Sequence, residues 1–207
     1  MAVSLTLAAS AKSLRDMWVA MPDSLVPTLN ANMRLEMVEL HDMQVKAEVK
    51  SLLDSDCVLD TLTSDYLQVA TSKAAFVQMK MLPQVGGDSI LCMVKTFAAP
   101  EKESDVRFYR QDWSEITPEQ SQMFSIGNLS SLPNRLVEKP DTMSESRFEE
   151  LKLMVEPKMY SAELSVNGNF ITFQLSLPLV SNDEKKHLNA ILMQRKFKWD
   201  GNRFNEI

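Results

Sequence analysis

Ala75-Phe76-Val77-Gln78-Met79-Lys80-Met81-Leu82 is followed, after Pro83 and a Gly86-Gly87-Asp88 turn, by Ile90-Leu91-Cys92-Met93-Val94-Lys95-Thr96-Phe97. In the first run Val77, Met79 and Met81 alternate with Phe76, Gln78 and Lys80, the period of two expected of a strand. The second run is apolar on both sides, as expected for a central strand covered on both faces. A short turn leaves no room for a crossover helix, so the two runs must pair antiparallel. Working outward, Tyr66-Leu67-Gln68-Val69-Ala70 reads as a preceding strand. Val106 to Trp113 reads as a following one, after a charged turn at Glu101-Lys102-Glu103-Ser104-Asp105. The expectation for the first half is an antiparallel meander.

Upstream, Lys12 to about Ser55 reads as helical. Leu14, Trp18 and Met21 fall at helical spacing before Pro22 interrupts, and Asp23 or Ser24 is placed to cap a short turn. Asn30 is placed to cap a second helix. Met33, Met37, Leu40 and Met43, with Leu35 and Val38 nearby, form its apolar stripe, and Arg34, Glu36, Glu39 and Asp42 form the expected solvent side. Residues 1–11 carry no charge, and Ala9-Ser10-Ala11 fits a signal-peptidase site with Lys12 opening the polar chain. A basic leading segment is missing, which predicts further in-frame residues bearing Lys or Arg upstream of Met1. The apolar stretch is far short of the roughly 20 residues that span a bilayer, and no transmembrane segment is expected elsewhere.

Downstream, Ser114 to about Ser144 has Pro118, Pro133 and Pro140 among Ser, Asn and Gln, and reads as a linker with a helical turn near 118–123. Ser144 is placed to cap a helix in which Phe148, Leu151 and Val155 share a face. Ala162-Glu163-Leu164-Ser165-Val166 and Asn169 to Leu175 flank Asn167-Gly168, which predicts a type I′ hairpin turn. Ile171, Phe173 and Leu175 then share a face expected to pack on the Phe148 helix. Thr172, Gln174 and Ser176 are expected to face solvent or a partner. Ser181-x-x-Glu184 is a capping box for a helix to about Leu188. Ala190 to Trp199 is extended, with Gln194, Lys196 and Lys198 opposite Arg195, Phe197 and Trp199, and Asp200-Gly201 turns the chain toward Arg203-Phe204. Both halves contain a strand ending in Leu-Pro (Leu82-Pro83 and Leu177-Pro178). That suggests a duplication, although the alternation slips by one residue when the pairs are aligned; a single larger sheet is the alternative.

The fold expected is therefore α+β, helices packed on antiparallel sheet, in two related halves. The divisions are 1–11 as signal segment, 12–115 and 140–207 as the halves, and 116–139 as linker.

The composition narrows the function. With 207 residues, 22 Lys and Arg against 28 Asp and Glu, the net charge is −6, which argues against nucleic acid as a partner because a basic surface must displace phosphate counterions. Only five glycines are present, and no phosphate loop, dinucleotide fingerprint, calcium loop or nucleophile elbow occurs. Two histidines, His41 and His187, lack further ligands at metal spacing, so no metal or other cofactor is expected. Cys57 and Cys92 read as buried small hydrophobes, with a single bridge as the alternative. Glu149-Glu150 diverge by about 100° on a helix and read as a solvated face. The basic and aromatic runs Arg107-Phe108-Tyr109-Arg110 and Arg195-Lys196-Phe197-Lys198-Trp199 read as strands with their aromatics on one core face. No catalytic, cofactor-binding or metal residue is assigned.

Met21-Pro22-Asp23-Ser24-Leu25, the segment Asn32-Met33-Arg34-Leu35-Glu36, Val45-Lys46-Ala47-Glu48-Val49 and Leu62-Thr63-Ser64-Asp65-Tyr66-Leu67 resemble a family of small secreted bacterial proteins from gut anaerobes, classed as a domain of unknown function. Met79-Lys80-Met81-Leu82-Pro83, Phe108-Tyr109 with Asp112-Trp113, and Trp199-Asp200-Gly201 with Phe204 extend the resemblance over most of the chain. It implies an exported protein, periplasmic or secreted, and brings no functional residues. In layout alone the halves are similar to tandem sheet domains of the beta-lactamase-inhibitor type. The resulting expectation is a non-enzymatic binding protein for an unidentified protein or small molecule. The rival is a hydrolase whose residues are distant in sequence. A deep pocket joining His41 or His187 to Ser and Asp would favour the hydrolase, and an open sheet face or aromatic-lined groove the binder.

Overall fold

The computed structural model describes residues 12–117, 122–155, 158–177 and 180–207. The expected signal segment and most of the turn near 118–123 lie outside the described residues. Helix α1 (Leu14–Val19) opens with a full capping box: Asp16 N–H donates to Ser13 Oγ at 3.1 Å, and Ser13 N–H donates to the Asp16 carboxylate at 3.3 Å. A 3-10 turn at Asp23–Leu25 leads to α2 (Ala31–Asp42), whose N-cap Asn30 accepts the Met33 N–H as expected. Two readings of α2 are corrected. Met43 and Leu35 are exposed, and Arg34 is fully buried. Arg34 lies one turn before Met37 and Val38, on their face, where its guanidinium reaches the carbonyls of Trp18, Val19, Met21 and Leu29. A further correction falls within the stretch read as helical: Glu48–Lys50 forms strand β1.

Strands β1, β2 (Asp56–Leu62), β3 (Tyr66–Ser72), β4 (Ala75–Pro83), β5 (Ser89–Ala98) and β6 (Lys102–Tyr109) form one antiparallel six-stranded sheet in sequence order. This is the expected meander. The charged run 101–105, expected as a turn, is mostly strand: Lys102, Glu103, Ser104 and Asp105 pair with Ala98, Phe97, Thr96 and Lys95. Its charges alternate with Ser104, which is buried, so strand pairing outweighs the polar composition. At the other end β6 stops at Tyr109, and Trp113 has φ of 68°, in a turn rather than a strand. Phe108 and Tyr109, being neighbours, point to opposite faces, and both are buried. The sheet is thus covered twice, which corrects the expectation of a single aromatic core face.

One face packs Leu67, Val69, Val77, Met79, Leu91, Met93 and Tyr109 against Leu14, Met17 and Trp18 of α1 and Met37 and Val38 of α2. Cys57 lies in this layer and Cys92 in the opposite one; both are free and buried, as small hydrophobes would be. Burial alone pushes the Cys92 thiol far upward, so it stays protonated.

The second half holds α3 (Leu132–Arg135), α4 (Glu145–Leu153), β7 (Met159–Leu164), β8 (Phe170–Ser176), α5 (Asn182–Leu188), β9 (Arg195–Trp199) and β10 (Phe204–Glu206). The four strands form a second antiparallel sheet, ordered β10-β9-β8-β7. Ser144 caps α4, and the Ser181–Glu184 capping box forms in both directions. The Asn167-Gly168 hairpin exists but is longer than expected. Ser165 N–H donates to Phe170 C=O, which leaves a four-residue loop at 166–169. Gly168 alone takes positive φ, at 76°, whereas a type I′ turn needs positive φ at both central residues. A Cβ on Gly168 would lie 2.6 Å from the Phe170 ring, a second reason for glycine there.

The stretch expected as a linker is packed: Met123, Phe124, Leu132 and Leu136 are buried between the sheets. Single apolar residues at irregular spacing leave no period to read. Ile171 and Phe173 are fully buried, the predicted face, but not against α4. They join Phe124, Phe197 and Phe204 in the core between the two sheets. Leu151 and Val155 pack instead with Val137, Leu177, Leu188 and Ile191 in a separate cluster, which touches the sheet through Leu175.

Candidate functional site

Strand β7 is the free edge of the four-stranded sheet, and it lands on the face of the six-stranded sheet turned away from the helices. A strand edge carries unpaired backbone groups that cannot be buried unsatisfied. Side chains of the other sheet supply the partners. Ser104 Oγ accepts the Ala162 N–H at 2.9 Å, Gln78 Oε1 accepts the Leu164 N–H at 3.1 Å, and Lys80 Nζ donates to the Val166 carbonyl at 2.9 Å. These three side chains are all buried. Gln78 Nε2 also donates to the Tyr66 hydroxyl at 2.8 Å, and that hydroxyl donates to Gln68 Oε1 at 2.9 Å. Ser104 Oγ is 2.8 Å from Thr96 Oγ1, and Lys80 pairs with Asp65 at 2.8 Å. Burial pushes the Tyr66 phenol upward against the opposing hydrogen bond from Gln78, so it remains a neutral donor.

The landing of β7 divides the sheet face into two regions. On one side lie Leu82, Ile90, Cys92, Val94 and Phe108, dry and packed on Phe173, Phe197 and Phe204. On the other side the two sheets stand apart and enclose a groove of about 530 Å³. Its floor and one wall are Gln68, Phe76, Gln78 and Lys102; its other wall is the outward face of the second sheet. Cross-strand register arranges that wall in rows. Glu163, Thr172 and Lys196 stand side by side, and Ser161 is opposite Gln174, which receives a 2.8 Å hydrogen bond from Gln194 Nε2. Four amides, three hydroxyls (Ser161, Ser165 and Thr172) and one aromatic ring face a shared space.

Two lysines bring positive charge to the groove. Lys102 Nζ sits 5.6 Å from the Phe76 ring centre, and Lys196 Nζ sits 4.4 Å from that of Phe170. Neither ammonium has a carboxylate within ion-pair distance among the described residues. Elsewhere, most lysines and arginines, Lys46, Lys50, Arg107 and Arg135 among them, are paired. Glu163 is the groove's one carboxylate.

The residues considered for catalysis lie elsewhere. His187 is exposed on α5, and His41 is on α2, its Nδ1 3.9 Å from Asp42. Neither makes a hydrogen bond to a serine among the described residues, and the structure brings the two into no common cavity. Glu149 and Glu150 pair with Lys152 and Arg147 on the exposed side of α4. A second recess of about 670 Å³ is lined by Phe108, Met123, Phe124 and Tyr160. Thr172 and Gln174 face the groove as the alternation predicted, whereas Ser176 is buried. The walls of the groove carry amides, and aromatics line the second recess instead. Sequence reading missed Gln68, Phe76, Gln78 and Lys102, because alternation shows that they share a face but not which part of that face stays open.

A family described as a protein of unknown function (DUF3256) matches residues 6–204. The chain belongs to this family. No curated protein matches the sequence. Among solved structures, the chain is similar to a domain of an uncharacterised protein from Porphyromonas gingivalis W83, at 19% identity and a TM-score of 0.75. That alignment covers 95% of this chain and 100% of the other, so the two share a fold. The family resemblance read from the sequence motifs is thereby borne out. No helix among the described residues is long and apolar enough to cross a membrane.

Proposed function

We propose that the protein is an exported, non-enzymatic binding protein and that the inter-sheet groove is its binding site. The observation that carries this reading is the half-covered sheet face. Its buried Gln78 and Ser104 are satisfied by β7, while the neighbouring amides, hydroxyls and lysines line open space. Ligand sites combine a formed concavity with a few convergent polar groups, and this groove has both, with most of its polar groups on strands. Export is supported by the uncharged 1–11 segment with its Ala9-Ser10-Ala11 pattern.

Two experiments test the reading. Saturation-transfer NMR with sets of oligosaccharides and short peptides should find ligands that respond with the natural chain. They should be lost in Thr172→Trp, which fills the groove from a half-buried strand position on its wall. Ligands that bind both proteins equally would sink the assignment of the site. Mass spectrometry of protein from its native host should find a mature chain starting near Lys12. Recovery of Met1 or Ala2 at the N-terminus would refute export by the proposed cleavage.

A further inference from the structure

We infer that the groove takes an acidic oligosaccharide, a hydroxyl-rich chain carrying carboxylates; this rests on the reading of the groove as the binding site. The donor and acceptor inventory is the first argument. A planar amide presents one acceptor and two donors, which matches the vicinal hydroxyls of a sugar two at a time. Gln174 and Gln194 spend one group each on their mutual hydrogen bond. The Gln174 NH2 and the Gln194 oxygen keep no partner among the described residues. Thr172 adds a hydroxyl between them and Glu163. The half-buried Phe76 ring supplies the apolar surface on which the C–H face of a pyranose packs.

Charge is the second argument. Lys102 and Lys196 flank the groove from opposite sheets, each with an aromatic ring close by and no carboxylate within ion-pair distance among the described residues, in a chain of net charge −6. A ligand carboxylate supplies the counter-charge that the protein withholds there. Glu163 opposes a uniformly anionic ligand, which favours charges spaced along a chain of hydroxyls over a polyphosphate or nucleic acid. Nor does an extended peptide fit as well. Peptides commonly bind by pairing with a free strand edge, and the β7 edge at this groove is already occupied by Ser104 and Gln78.

The test uses the full chain with tetragalacturonate as acidic probe and cellotetraose as neutral control. Calorimetry gives the affinities, and amide and side-chain NMR shifts locate the binding. The inference expects shifts at Gln68, Gln174 and Gln194, and at least about fivefold tighter binding of the uronate at low salt. That preference should fall as salt rises, because partly exposed charge pairs are screened. Lys102→Gln and Lys196→Gln should each remove most of the preference while leaving the melting temperature unchanged, and Lys196→Arg should keep it. Absence of groove shifts at millimolar uronate, equal affinity for the two sugars, or indifference to both lysine variants would each overturn the inference. A peptide that shifts the groove while neither sugar does would overturn it too, yet would leave the binding reading standing. That broader reading fails separately, if Thr172→Trp alters no ligand at all.

Discussion

Arg34 shows how one side chain can hold two helices together. Its guanidinium has no exposed surface, and it donates to the carbonyls of Trp18 at 3.0 Å and Val19 at 3.4 Å, and to those of Leu29 and Met21. These are the last carbonyls of α1, that of Met21 after it and that of Leu29 just before α2, groups at helix ends that lack the full set of intrahelical donors. Asp23 completes the site at 2.9 Å but is itself 58% exposed. The two partners therefore contribute unequally. Arg34→Met keeps the packing volume and orphans the carbonyls, so it should cost about 3–5 kcal/mol in urea denaturation. Asp23→Asn should cost under about 1 kcal/mol, because solvent screens that half of the pair. Equal losses would show that the ion pair, rather than the carbonyl clasp, is what matters.

At the scale of elements, short polar motifs close the helices and hairpins, and several leave a pH signature. The Asp200 carboxylate accepts the N–H groups of Arg203 and Asn202 and the Asn205 amide, which together hold it below its ordinary value. Hydrogen bonds from Ser181 hold Glu184 down in the same way at the start of α5. Folded values that are depressed mean that the stabilisation is full above the unfolded carboxylate range, near pH 4, and fades as pH falls through the lower folded value. Acid titration of the melting temperature should therefore show a falling limb below about pH 4, and Asp200→Asn and Glu184→Gln should each flatten it. A limb of the same slope in both variants would assign the acid sensitivity to other carboxylates.

The β7 edge gives the second prediction at this scale. Gln78→Leu leaves the Leu164 N–H without an acceptor in a buried place and should cost about 1–3 kcal/mol, with faster exchange of that amide. Gln174→Leu, on the exposed groove wall, should be nearly neutral for stability. Comparable losses from the two would mean that the groove amides are structural.

For the molecule as a whole, the decisive fact is that both sheets share one core. Phe173 has ring neighbours Phe124, Tyr160 and Phe197, each at 5.7 Å, and this cluster continues to Phe108, Cys92 and Ile90 of the first sheet. Phe173→Ala should cost roughly 3–5 kcal/mol. It should also lower exchange protection in β4 and β5 along with β8, in a single unfolding transition. Loss confined to β7–β10, with a separate melting step for the first sheet, would show that the halves fold independently. The amides of residues 12–115 prepared alone should, by the same argument, be poorly protected around Ile90 and Phe108, whose cover lies in the second half.

The sequence by itself determined most of the elements. Alternation at 75–82 and 90–97 required an antiparallel meander, Asn30, Ser144 and Ser181 marked their helix starts, and the alternation of Ile171 and Phe173 with Thr172 and Gln174 assigned the buried and open faces of β8. All of these signals act within a few residues, where chain geometry fixes which side chains share a side. Only the tertiary structure decided what each face meets. Arg34, Gln78, Lys80 and Ser104 look like surface residues, yet each is buried because distant backbone groups need its hydrogen bonds. Phe173 meets the other sheet and not α4, and the proline-bearing 122–137 segment supplies Phe124 to the core between them. The groove arises in the same way. It exists because β7 covers half of a sheet face and leaves the other half open, a boundary set by which edge of one sheet lands on which rows of the other.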